Sequence, residues 1–187
     1  MEYFNSKTES ISKKNTVNRN RMLLFPFFAI VAVIIIMYML PNHEALIIRT
    51  GNETLLIFTM KDGENFQINF YDSNNEVNVV NTLSRDTDTI SLDSMLITGN
   101  SDYIPSGDDM PQAEYTKVEE GYLISKIDMQ YQRLQLNIDH IADYTICFRG
   151  KEYHLNDYTS SPSVTLFFEK VSLGRITRYD PGFKLLK

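Results

Sequence analysis

Two hydrophobic patterns divide the chain. From Met22 to Leu40 nineteen residues run without a charge or a polar face, and from about residue 45 onward apolar residues alternate with polar ones at the spacing of strands. At about 1.5 Å of rise per residue the first pattern makes a helix of roughly 28 Å, close to the ~30 Å hydrocarbon core of a bilayer. Pro26 falls near its first turn, where a missing N–H costs little. Residues 22–40 therefore read as a transmembrane helix. They end Met37-Tyr38-Met39-Leu40-Pro41 without a small-residue cleavage site, so the reading is an uncleaved signal anchor. Residues 1–21 carry five basic against two acidic side chains, which predicts a disordered basic tail held in the cytoplasm. Residues 41–187 are then an extracytoplasmic domain.

Within that domain the turns predict a register. Gly51-Asn52, Asp62-Gly63 and Asn74-Asn75 separate four strands and predict a four-stranded meander. Counting outward from the turns sets Ile48 opposite Leu55, Leu46 opposite Ile57, Ile57 opposite Ile68, Leu55 opposite Phe70 and Phe70 opposite Val79, all on one face. The other face holds Ile47, Leu56 and Phe58 but also Gln67, Asn69 and Asn78, and is expected to be covered only near the first two strands. TISLDSMLIT makes a fifth strand, and Gly99 to Gln112 a long polar loop. Tyr122 to Ile141 fits one helix or two strands. The β neighbours favour strands, although no turn residue explains the change of phase at Gln132-Arg133.

A hairpin over Arg149 to Glu152 pairs Phe148 with Tyr153 and Ile146 with Leu155, and SVTLFFEK and GRITRY close the domain, with Pro181-Gly182 ending the ordered part. About nine strands in this length predict a mainly β fold, an antiparallel Greek-key β-sandwich. LQLNIDHIADYTICF resembles the corner that leads into the cysteine-bearing strand of immunoglobulin domains. Tyr144 stands three residues before Cys147 instead of two, and the chain has no second cysteine and no tryptophan, so the resemblance extends to architecture alone.

Charge narrows the functions. Residues 41–187 hold thirteen basic and twenty-two acidic side chains, a net −9 that repels nucleic acid and anionic headgroups. Cys147 is the sole cysteine, which excludes an intramolecular disulfide and a cysteine-cluster zinc site. The same economy of cysteine, with abundant Asn, Ile and Tyr, leans toward a bacterial envelope protein.

Candidate chemistry is thin. Centring the late hairpin on Gly150-Lys151 puts Cys147 opposite His154, a thiol and an imidazole within reach of each other, with Asp139, Asp143 and Asp157 as unplaced carboxylates. An ordinary cysteine is the favoured reading. His43, His140 and His154 are too scattered for a metal, and Asp102, Asp108, Asp109 and Glu114 lack the alternation of a calcium loop and read as solvated acids. Asn52-Glu53-Thr54 matches a glycosylation sequon by chance in such a source. No catalytic, cofactor or metal residue is assigned, and no cofactor is expected.

The functional expectation is a single-pass envelope protein whose β-domain binds or scaffolds other envelope or membrane proteins, held to lipid through residues 22–40. Only Pro41 to Glu44 separates span from strand, so the domain reaches little beyond its neighbours in the membrane. Two alternatives stand beside it. One is a membrane-tethered enzyme or ligand sensor using Cys147 and His154, and the other a chain whose anchor and tail matter most.

Overall fold

The computed structural model describes residues 26, 28–100, 110, 112–138 and 142–181. The polar loop at 101–109, the carboxylates Asp102, Asp108, Asp109 and Asp139, His140 and the basic tail lie outside them. The described chain is mainly β. A helix, α1 (residues 28–39), runs almost directly into β1 (Pro41–Thr50) and β2 (Glu53–Thr59). β3 (Asn65–Asp72), β4 (Val77–Asp86), β5 (Thr89–Gly99), β6 (Glu114–Val118) and β7 (Gly121–Tyr131) follow. β8 (Leu134–Asn137), β9 (Thr145–Phe148), β10 (Lys151–His154) and β11 (Ser163–Ser172) precede a second helix, α2 (Leu173–Tyr179).

The strands form two antiparallel sheets, of four strands in the order β2-β1-β11-β8 and of seven in the order β10-β9-β3-β4-β5-β7-β6. Their facing sides share one core. Leu46, Ile48, Leu56, Phe58, Val164 and Leu166 of the smaller sheet meet Phe66, Ile68, Leu83, Ile124 and Ile146 of the larger, all at most 2 % exposed. Each such side chain withdrawn from water stabilises the fold by about 1.5–3 kcal/mol before entropy is charged against it. The far side of the smaller sheet is also dry: Ala45, Ile47, Ile57, Phe167 and Val171 pack under Ile176 of α2. That second core explains why β1 reads Ala-Leu-Ile-Ile with no polar alternation.

The predicted meander is corrected in two ways. Gly51-Asn52 does turn between Thr50 and Glu53, but a bulge between Ile48 and Arg49 shifts the pairing to Ile48↔Leu56, Ile47↔Ile57 and Leu46↔Phe58. The extra residue turns Leu56 and Phe58 into the shared core and Ile57 onto the α2 side. β2 and β3 do not pair at all: the chain leaves one sheet at Met60 and joins the other at Asn65, so Asp62-Gly63 is a corner and no hairpin, and Ile57 and Leu55 do not face Ile68 and Phe70. Phe70 does lie opposite Val79. Asp72 secures that turn by accepting hydrogen bonds from the backbone N–H of Asn74 at 3.0 Å and from Asn75 Nδ2 at 2.7 Å.

Residues 122–141 contain strands in their described part. The change of phase at Gln132-Arg133 is a crossing from the larger sheet (β7) to the smaller (β8), which needs no hairpin turn. GRITRY, expected as a strand, is the helix α2. With Ile176 as its one buried residue, it keeps the half-apolar pattern of a helix laid over a sheet. The described residues form eleven strands where nine or so are expected from the sequence. Among the described residues no helix is long and apolar enough to cross a membrane; of the 22–40 run, 22–25 and 27 lie outside the description.

Candidate functional site

A polar concavity lies at the root of the domain, at the corner where the chain changes sheets. Asn42, His43 and Glu44 at the root of β1, Thr59 at the end of β2 with Met60, Lys61 and Asp62 after it, Arg85 and Arg149 line a cleft of about 440 Å³. Two arginines hold its walls. Arg85, at the end of β4, is 4 % exposed. It donates to Met60 O at 2.8 Å through Nη1, to Thr87 O at 2.7 Å through Nε, and to the Glu44 carboxylate through Nη2. Its guanidinium lies 5.3 Å from the centre of the Phe168 ring. A planar fork with five donors suits such a junction, because one side chain ties three separate stretches of chain.

Arg149 does the same from the β9–β10 turn. It forks onto Glu64 at 2.8 and 3.2 Å, donates to Thr59 O at 3.0 Å and covers the Phe148 ring at 4.6 Å. Burial opposes ionisation of Glu64, but the Arg149 hydrogen bond and charge and the Lys61 N–H outweigh it and hold the carboxyl below its ordinary 4.5. A lowered folded pKa contributes stability that is whole above pH 4.5 and fades as pH falls through the folded value. Arg149→Ala is therefore expected to flatten the acid limb of a pH-resolved melting series below pH 4.5. An unchanged limb would show that the pair adds nothing.

The thiol–imidazole pair is not assembled. Arg149 and Gly150, at φ 50° and 73°, make the two-residue turn of a twisted hairpin. The ladder therefore runs Phe148↔Lys151, Cys147↔Glu152, Ile146↔Tyr153 and Thr145↔His154. Cys147 faces Glu152, and Ile146 faces Tyr153 instead of Leu155. Cys147 Sγ accepts from Asn69 Nδ2 at 3.3 Å, while His154 Nδ1 sits 3.0 Å from Thr145 Oγ1 and 3.7 Å from Asp143. Burial pushes the thiol pKa up, Glu152 adds to that and the Asn69 bond opposes it. Cys147 is accordingly expected to alkylate with iodoacetamide more slowly at pH 7.5 than free cysteine does; faster labelling would reveal an activated thiolate.

No group of three or more metal-ligating side chains gathers among the described residues. Glu114 is engaged with Lys126 across the β6–β7 pair, and His43 stands in the cleft apart from His154. The two clamping arginines escaped the reading from sequence. Arg85 looks like one more surface cation before a turn, and nothing local marks it as buried. Comparison with protein-family models, curated proteins and solved structures gave no match to this chain.

Proposed function

We propose that the protein is a single-pass membrane protein whose β-sandwich sits against the bilayer and binds or scaffolds neighbouring membrane or envelope proteins. One observation carries the anchor. The domain hides its own apolar side chains, yet Phe28, Ile30 and the run from Val33 to Leu40 stand 43–70 % exposed around the helix, and beyond them only Tyr71 and Tyr158 of the described large apolar residues are exposed. A helix apolar on every side finds its low-energy surroundings in lipid or among other such helices. The absence of a spacer supports the rest. α1 ends at residue 39 and β1 begins at Pro41, while Tyr38 Oη meets Thr177 Oγ1 at 2.9 Å and packs where a Cβ on Gly174 would lie. The domain is thus held close to its root and serves partners in the same membrane.

The end of the larger sheet at β6 is the favoured place for a partner strand, since β6 pairs with β7 alone among the described strands. The test has two parts. Alkaline carbonate should leave the full chain in the membrane fraction, and external protease should digest 41–187 from intact cells. A photo-crosslinking residue in place of Lys117 should give one discrete adduct with another membrane protein. Lys117→Pro should abolish recovery of that protein, while Cys147→Ser and His154→Ala leave it intact. Extraction by carbonate, no adduct, or loss of function in either point variant with fold preserved would reject the proposal.

A further inference from the structure

A second, smaller crevice, of about 260 Å³, lies between the last turn of α1 and the helix α2. Tyr38 and Met39 line it from α1, and Gly174, Arg175, Arg178 and Tyr179 from α2. No residue lining it is acidic. Ile176 is the residue that α2 buries against the smaller sheet, so Arg178, about 200° further round the helix, points away from that sheet and is exposed. Its guanidinium makes no ion pair or hydrogen bond among the described residues. Arg175 is held in place instead: it donates to Glu169 Oε1 at 3.1 Å and to Thr54 Oγ1 at 3.3 Å. Glu169 matches the charge of Arg175, which leaves the crevice with one positive charge unmatched.

Its depth is the second observation. Tyr38 and Met39 end the apolar helix at 43 % and 70 % exposure, and Ile35, one turn deeper on the same side, is 53 % exposed. With α1 in the bilayer, the crevice opens at the hydrocarbon boundary, into a headgroup layer roughly 5–7 Å thick. Tyr38 and Tyr179 are the amphipathic rings that such a layer favours.

We infer that this crevice holds the phosphate of an anionic phospholipid, with an acyl chain lying along α1 past Ile35. The inference rests on the membrane-anchor reading of α1 and is separate from strand addition at β6. A phosphodiester carries one negative charge, equal to the one unmatched, and its oxygens accept from the Arg178 fork and from the N–H groups that Arg175 leaves uncommitted. A headgroup with its own ammonium would bring a cation beside two guanidiniums, so phosphatidylglycerol fits better than phosphatidylcholine. A soluble phosphate finds the same donors but leaves Met39 and Ile35 uncovered, whereas an acyl chain covers them. The net −9 of residues 41–187 acts diffusely, and salt damps it beyond about 8 Å; at contact the two arginines decide.

The test places the full chain in nanodiscs of equal phosphatidylcholine and phosphatidylglycerol and counts the lipid retained on the ejected protein by native mass spectrometry. Phosphatidylglycerol should be retained in preference, at one per chain. Arg178→Gln should cut that preference about fivefold with the melting temperature unchanged. Lys151→Gln, which removes the same charge beside the β9–β10 turn, should leave it intact. Millimolar glycerol 3-phosphate, the soluble source of the same chemistry, should not displace the lipid. Equal retention of the two lipids, as expected if an acidic group of a partner protein fills the crevice, would overturn the inference and leave the anchor standing. Undiminished preference in Arg178→Gln, an equal loss in Lys151→Gln, or displacement by glycerol 3-phosphate would do the same. A chain that stays out of nanodiscs and is extracted by carbonate would overturn both.

Discussion

Arg85→Ala is expected to lower the melting temperature of the protein by roughly 6–12 °C, the largest loss from removing any one charge in the domain. The figure follows from what the guanidinium holds. At 4 % exposure it donates to two backbone carbonyls on different connections and to Glu44, and hydrogen bonds from a charged donor are worth more than neutral ones. Because Glu44 is 41 % exposed and recovers water when its partner goes, the loss is about 3 kcal/mol, below that of a fully buried pair. Glu44→Gln should cost less than ~1 kcal/mol, since both carbonyl bonds survive. Arg85→Lys should fall between, because one ammonium cannot span three acceptors in different directions. A melting scan of the three variants decides it. Equal stability of Arg85→Ala and the parent would mean that the corner is held by its backbone alone.

Phe58→Ala is expected to cost about 3–5 kcal/mol, enough to leave a large unfolded fraction near 37 °C. Phe58 is 2 % exposed, and its ring centre lies 5.2 Å from that of Phe148 and 4.9 Å from that of Tyr153, both tilted at 56°. Through these ring contacts the end of β2 reaches across to the β9–β10 hairpin. Alanine would remove the ring and leave a void that rigid strands cannot close. Urea unfolding of Phe58→Ala and Phe58→Leu measures this, with leucine expected to recover a good part of the loss. A deficit under 1 kcal/mol would show that the hairpin repacks freely.

The sequence displayed strands well and sheet membership poorly, for a physical reason. Alternation reports which faces are buried locally, and Phe70 opposite Val79 follows from a turn whose Asp72 caps it. Leu55 shows the limit. A single bulged residue reverses the two faces of β2, and because β1 and β2 are apolar on both sides, periodicity has nothing with which to object. Asp62-Gly63 has the composition of a hairpin turn and serves as a corner, since a turn residue specifies local dihedrals and not the next partner. The α2 segment reads as a strand because Ile176 is its only deeply buried residue, too few to show a helical period. The cleft at the root was invisible for a related reason. It is assembled from residues many positions apart, whose common feature is a junction that exists only after the ladders are known.

The place of β1 sets the order of assembly. It lies between β2 and β11 in the smaller sheet, so the first of the described strands waits for a neighbour that begins at Ser163. Closing so long a loop is entropically slow, and pairings of such sequence separation place a domain among the slower folders, on the millisecond-to-second scale. Until residues 163–172 arrive, the apolar edge of β1 stands open to other unfolded chains. Interruption of synthesis before that point would strand a sticky half-sheet, and cells making this protein should rely on holding chaperones during that interval.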